Sequence, residues 1–371
     1  MKNVSVIGVG RLGLCMALSL EKNGYNVIGV DVNPNYISSL QNKKFISDEP
    51  GVNELLENSN ITFTTNIEKA LENDIIFLVV ATPSKIDGDY DHSQVEHVVN
   101  SLKEFGKNEN IKHLVICCTT MPGFSDEVAE KLSSYNWDIS YNPEFIAQGT
   151  VLRDQANPDM ILIGCDNDIR KAELTQIYLD ITENEPRFQY MSRKEAEITK
   201  IALNCFLTTK IAYANMVGDT AIAAGCDPLK ILSAIGSDSR IGNKYLNYGF
   251  GFGGPCFPRD NKAFGNFAQS VNVDPIISRA TDKSNDHHLV QQLIHRRNSG
   301  ETKFTFSTVT YKPESTLLLQ SQQLRLATLL ANEGFEVTII ERETVINELK
   351  EKYGDKFIYE SVDSSENCIL D

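Results

Sequence analysis

Over the first 165 residues, short β-branched apolar runs alternate with segments whose apolar residues recur at helical spacing. The runs are VSVIGV (4–9), NVIGVDV (26–32), ITFTT (61–65), DIIFLVVAT (74–82), HLVICCTT (113–120) and MILIGC (160–165). Helix-period segments lie between them, for example from Leu12 to Asn23 and from Asp91 to Phe105. Apolar strands separated by helices fit a parallel sheet covered on both faces, so this part is predicted to be a doubly wound α/β domain.

From about residue 192 the pattern changes. Arg193 to Gly225 reads as one helix, which at ~1.5 Å per residue would span about 45–50 Å. Such a length predicts a spine joining two domains and, in part, a dimer surface. RNSGET (297–302) is a turn-rich break. KFTFSTVTY (303–311), a helix near Gln320 to Glu333, EVTIIE (336–341), a helix near Thr344 to Tyr353 and KFIYES (356–361) then resume the β/α alternation. The expected division is 1–190, 191–297 and 298–371: a Rossmann-type α/β domain, a central helical domain with a dimer surface, and an abbreviated C-terminal Rossmann-like α/β domain.

The first strand runs directly into Gly8-Val9-Gly10-Arg11-Leu12-Gly13 and an apolar helix. In that context Gly8 permits the tight turn, Gly10 lets a pyrophosphate approach the backbone, and Gly13 lets helix and strand pack closely, with Arg11 and Leu12 at the helix N-terminus. The second run ends near Asp31, 18 residues after Gly13, suited to accept hydrogen bonds from a ribose with both hydroxyls unmodified and to repel a 2′-phosphate. NAD is therefore expected over NADP. A glycine-rich βα turn also occurs without a ligand, and the strand context and the acid weigh against that. Thr82 and Pro83, in VVATPS (79–84), are placed in a loop over the cofactor.

Composition narrows the class. Lys and Arg number 35 against 50 Asp and Glu, a net charge of −15, which argues against nucleic acid or an anionic membrane as the main partner. No stretch approaches the ~18 apolar residues of a membrane span, and the N-terminus lacks a signal-peptide helix. The eight cysteines are scattered through apolar stretches and form no CxxC pair and no short secreted framework, so reduced thiols in a soluble cytoplasmic protein without a metal site are expected.

One cysteine has an unusual setting. In Gly249-Phe-Gly-Phe-Gly-Gly-Pro-Cys256-Phe-Pro-Arg259-Asp260, glycines let backbone approach a ligand, two prolines fix the thiol, and Arg259 is a nearby cation that could favour thiolate. GFGFGGPCFPRD, with YNPEFIAQGT (141–150), AEITKIALNCF (196–206), SRIGNKYLN (239–247) and GVGRLG, resembles the UDP-glucose/GDP-mannose dehydrogenases, most closely those acting on UDP-glucose. The resemblance runs in order over residues 1 to about 290.

It implies a four-electron oxidation in which two NAD molecules convert the primary alcohol of a nucleotide sugar to a carboxylate, UDP-glucose to UDP-glucuronate, through a thiohemiacetal and a thioester on Cys256. Lys200 and Asn204 match the residues that steady the oxyanion and a water, Asp260 the acid that assists proton movement, Glu144 the acid near the hydrolytic water, and Thr120 the hydroxyl that positions it. Arg259 is carried over to the cofactor. Substrate contacts carried over are Glu144, Phe145, Ile146, Lys200, Asn204, Tyr245, Asn247, Gly253 and Lys312, and Arg240 matches an arginine reaching across a homodimer. Each has a bland counterpart: an exposed helix lysine, a capping or surface acid, a strand-ending threonine.

Some residues depart from the family pattern. Gln148 stands where a second glutamate is common, Met160 follows NPD in place of an arginine, the strand before Lys312 lacks its glycine, and Leu319-Gln320-Ser321 replaces Arg-Glu-Ser. The sequence stops at Asp371, before the expected basic residue that grips the nucleotide. Alternatives are the same chemistry on UDP-N-acetylmannosamine or GDP-mannose, a 6-phosphogluconate or hydroxyacid type enzyme that uses a lysine without the cysteine, and a nucleotide-sugar-binding protein impaired in catalysis.

Overall fold

Eight strands of the computed structural model, which describes residues 2–146, 149–313 and 315–362, form one sheet in the first part of the chain. They are β1 (Lys2–Ile7), β2 (Tyr25–Val30), β3 (Thr62–Thr64), β4 (Ile75–Leu78), β5 (Lys112–Ile116), β6 (Trp137–Tyr141), β7 (Met160–Gly164) and β8 (Arg187–Met191). Their order is β3-β2-β1-β4-β5-β6-β7-β8. Every pairing is parallel except β6 with β7, which meet antiparallel at Tyr141 and Gly164. Two apolar clusters, one including Val4, Val6 and Phe77 and the other Ile76, Leu78 and Leu114, account for the continuous apolar runs that announced the strands. The strand order reverses between β1 and β4, which opens a crevice beyond their carboxyl ends.

The structure adds β6 and β8 to the strands anticipated. WDISY is short, and RFQYM lies at the sheet edge with Arg187, Gln189 and Tyr190 exposed, so neither presents an apolar run. Strands β4 and β5 also stop four residues before their apolar runs do. Beyond Leu78 and Ile116 the chain leaves the sheet, and Thr82 Oγ1 donates to the Thr119 carbonyl at 2.7 Å, tying the two departing loops together.

The chain divides into two units, Met1–Lys200 and Ile201–Asp371. The long helix is present as Arg193–Ala223, 31 residues, and carries the boundary. In the second unit β9 (Lys303–Phe306), β10 (Glu336–Glu341) and β11 (Ile358–Ser361) form a parallel sheet in the order β11-β10-β9. Strand β9 ends before residue 311 because the buried Glu341 carboxylate accepts from Thr308 Oγ1 at 2.6 Å and the Val309 amide at 3.3 Å, which turns the chain away. Ser321 caps the helix Gln322–Asn332 by accepting from the Leu324 amide. Among the described residues no helix is long and apolar enough to cross a membrane. Gln148 and the terminal segment 363–371 lie outside the described residues.

Candidate active site

The first unit contains a turn shaped for a dinucleotide. Gly8 has φ +90°, and a Cβ there would lie 2.8 Å from the Val79 backbone, so the chain just past β4 leaves no room for a side chain. A Cβ on Gly13 would lie 2.0 Å from the Gly8 carbonyl oxygen. Gly10 differs: a Cβ there would meet nothing within 4 Å, so its face is open. It is also the N-cap of the helix Arg11–Lys22, with no side chain capping the amides of the first turn, and such amides are suited to a pyrophosphate. Asp31, just past β2, is partly exposed and accepts from the Asn33 amide at 3.1 Å. These residues fit NAD.

Beyond β6, Lys200 and Glu144 come together. Lys200 is buried, donates to the Glu144 main-chain oxygen at 2.6 Å and lies 4.5 Å from the Phe145 ring centre. Burial pushes the Glu144 carboxyl up to about 7, against the opposing pull of the Lys200 charge. A carboxyl poised near neutrality suits general acid–base work. Phe145 and Ile146 pack their side chains against the apolar clusters of the unit.

Thr120 is fully buried in the loop after β5 and donates to Glu197 at 2.8 Å. Glu197 on the long helix also accepts from the Gly123 amide at 2.5 Å, the Ser125 amide at 2.8 Å and Ser125 Oγ at 2.6 Å. The carboxylate thus caps the helix Phe124–Leu132 and braces the Thr120 loop. Sequence reading did not single out Glu197. A glutamate amid the apolar positions of a helix was the available signal.

In the second unit Cys256 is exposed and is the N-cap of the helix Phe257–Ser270, with a proline in its first turn. The thiol therefore sits at the end of the helix where peptide dipoles favour negative charge. One turn on, the fully buried Asp260 accepts from Asn204 Nδ2 at 2.6 Å and from Arg259 Nε at 2.8 Å. Arg259 is thereby engaged with a carboxylate. Other cysteines are chemically distinct: burial pushes the thiols of Cys15 and Cys118 up to about 12 and raises those of Cys117 and Cys205 as well.

The glycines before Cys256 are dictated by packing. A Cβ on Gly253 would lie 2.3 Å from the Gln320 carbonyl oxygen, and Gly254, at φ +79°, lies against the Tyr311 ring and donates to the Leu319 carbonyl at 3.1 Å. Tyr245 has φ +61° and meets Phe257 edge-on. Asn247 is exposed, Lys312 is half-buried, and Arg240 stands in a surface loop paired with Asp238 at 2.7 Å.

Residues 2–182 match the UDP-glucose/GDP-mannose dehydrogenase family, NAD binding domain, and residues 194–287 match that family's central domain. A UDP-glucose 6-dehydrogenase of Haloferax volcanii is 30% identical over 351 residues, covering 90% of this chain and 82% of that protein. An uncharacterized protein of Methanocaldococcus jannaschii is 35% identical over 268 residues, 71% of this chain but 30% of its own length. The structure of a UDP-glucose dehydrogenase from Pyrobaculum islandicum superposes with a TM-score of 0.86 at 30% identity, over 98% of this chain and 86% of that one.

Proposed function

The chain belongs to the UDP-glucose/GDP-mannose dehydrogenase family, NAD-binding nucleotide-sugar oxidoreductases, and on that premise we propose that it oxidises UDP-glucose to UDP-glucuronate through a covalent intermediate on Cys256. NAD, when bound, supplies the acceptor for the electrons removed in each of two successive oxidations. Gly8, Gly10 and Gly13, the amides of Arg11 and Leu12, and Asp31 hold it, with Thr82, Pro83, Thr120 and Arg259 contributing.

The Cys256 thiolate adds to the aldehyde carbon formed in the first oxidation. The resulting thiohemiacetal keeps the aldehyde from escaping, its oxidation gives a thioester, and water releases the acid. Lys200 and Asn204 donate to the oxyanion. Glu144 takes a proton from the hydrolytic water, Thr120 helps to orient that water, and Asp260 assists proton movement at the thiol. Phe145, Ile146, Tyr245, Asn247, Gly253 and Lys312 bind the sugar nucleotide, and Arg240 serves the neighbouring site of a homodimer. Exposed Phe206, Tyr213 and Met216 on the long helix support the dimer.

The observation that carries the reading is the placement of Cys256 as an exposed thiol heading a helix whose first turn bears Asp260, itself held by Asn204 and Arg259. The test is the NADH yield per nucleotide sugar over a panel of UDP-glucose, UDP-N-acetylmannosamine and GDP-mannose. Two NADH per UDP-glucose is expected. One would sink the thioester step, and two per another sugar would move the substrate assignment.

A further inference from the structure

The loop that leads to Cys256 is gripped by one face of the helix Ile276–Asn298. Asn285 accepts from the Phe252 amide at 2.9 Å and donates back to the Phe252 carbonyl at 3.0 Å. One turn later His288 Nε2 lies 2.7 Å from the Gly249 carbonyl oxygen, and Gln292 donates to the same oxygen at 3.1 Å. Residues 285, 288 and 292 share a helical face, as the i, i+3, i+7 spacing requires.

His288 is 2% exposed. Its other ring nitrogen, Nδ1, lies 2.8 Å from Asp219 Oδ2 on the long helix. A main-chain carbonyl can only accept, and an ionised carboxylate can only accept. A neutral imidazole has one donor, so it satisfies only one of these partners, whereas an imidazolium satisfies both. With Nδ1 facing a carboxylate oxygen and Nε2 a carbonyl oxygen, the geometry calls for a proton on each ring nitrogen. The remaining neighbours agree. Tyr248 meets the ring edge-on at 5.5 Å and donates its hydroxyl to Asp219 at 3.1 Å, so that carboxylate accepts on its other oxygen as well. Burial and the Asp219 charge raise the Tyr248 phenol, so it stays neutral, and the other charge acting there is Arg296.

We propose that His288 is a positioning residue for the cysteine loop, held as a cation between Asp219 and the Gly249 carbonyl. It acts through the loop, fixing the start of the glycine run seven residues before the thiol, and loss of its second proton releases either Gly249 or Asp219. The functional half of this inference rests on the assignment of Cys256 as the nucleophile. The protonation half does not.

Three measurements on the full chain test it. First, nitrogen NMR of protein labelled at histidine should show both His288 ring nitrogens protonated at pH 7, with H288Q identifying the signals; a single neutral tautomer overturns the proposal. Second, pH profiles of kcat and KM should show about a tenfold lower kcat in H288Q with KM for NAD unchanged, and D219N should lower kcat as well because the ring loses the carboxylate that holds it. Unaltered kcat profiles in folded H288Q and D219N overturn it. Third, alkylation by iodoacetamide reads the loop without turnover. H288Q should change the Cys256 labelling rate at least threefold and leave Cys226 unchanged, and equal rates at Cys256 overturn the positioning role. Should no nucleotide sugar be oxidised while the NMR and labelling results hold, the enzyme assignment fails and the inference stands.

Discussion

Lys200 binds the main-chain oxygen of Glu144, not its carboxylate, at 2.6 Å. The ammonium charge therefore lowers the proton affinity of the Glu144 carboxyl without a direct hydrogen bond, burial raises it more, and the balance falls at about 7. Activity that needs ionised Glu144 should rise tenfold per pH unit up to about pH 7 and then level off. K200M removes the opposing charge, so the same limb should move to higher pH. E144Q should abolish the limb and cut kcat by about 10²-fold or more. A limb that does not move in K200M would separate the two residues.

The same carboxyl ties stability to pH. Its affinity for a proton is greater folded, at about 7, than unfolded, at 4.5, so the folded state binds more protons between those values. Stability from this group is full below that window and falls as pH rises through it. Denaturant unfolding of E144Q should lack this component of the pH dependence.

Glycines 10 and 13 should behave differently when replaced by alanine. Gly10 has φ −63° and open space around its missing Cβ, so G10A should keep its melting temperature within about 2 °C while binding NAD about tenfold more weakly. G13A drives a methyl to 2.0 Å from the Gly8 carbonyl and should cost about 2–4 kcal/mol in denaturant unfolding.

Removing the Glu197 carboxylate strands four donors, on Thr120, Gly123 and Ser125. E197A should destabilise the protein by about 2–4 kcal/mol, and E197Q, which retains one acceptor, by less. Chemical denaturation of both variants checks the order.

Thiol labelling should follow exposure. In the native protein iodoacetamide should modify Cys256 and Cys226 and spare Cys15, Cys117, Cys118, Cys165 and Cys205, as read by peptide mass spectrometry. Guanidinium should make all of them reactive.

Much of the first unit was readable from periodicity because a sheet covered on both faces demands continuous apolar strands, and VSVIGV, IIFL and HLVI are such runs. Strand β8 escaped because an edge strand carries polar residues. Gly8, Gly10 and Gly13 could be ranked by role from spacing alone, since a strand-turn-helix leaves one backbone geometry for them.

The amino-acid sequence by itself determined the dinucleotide turn, the long helix and the identity of the unusual cysteine, because each depends on neighbours within a few residues. Tertiary structure alone decided what surrounds them. Lys200 meets Glu144 across 56 positions, Asn204 meets Asp260 across 56, and His288 meets Asp219 across 69. Burial and charge at such distances set which carboxyl titrates near neutrality, and packing sets which acceptors a buried histidine faces. No local pattern encodes them, since they arise only when separated segments exclude water together.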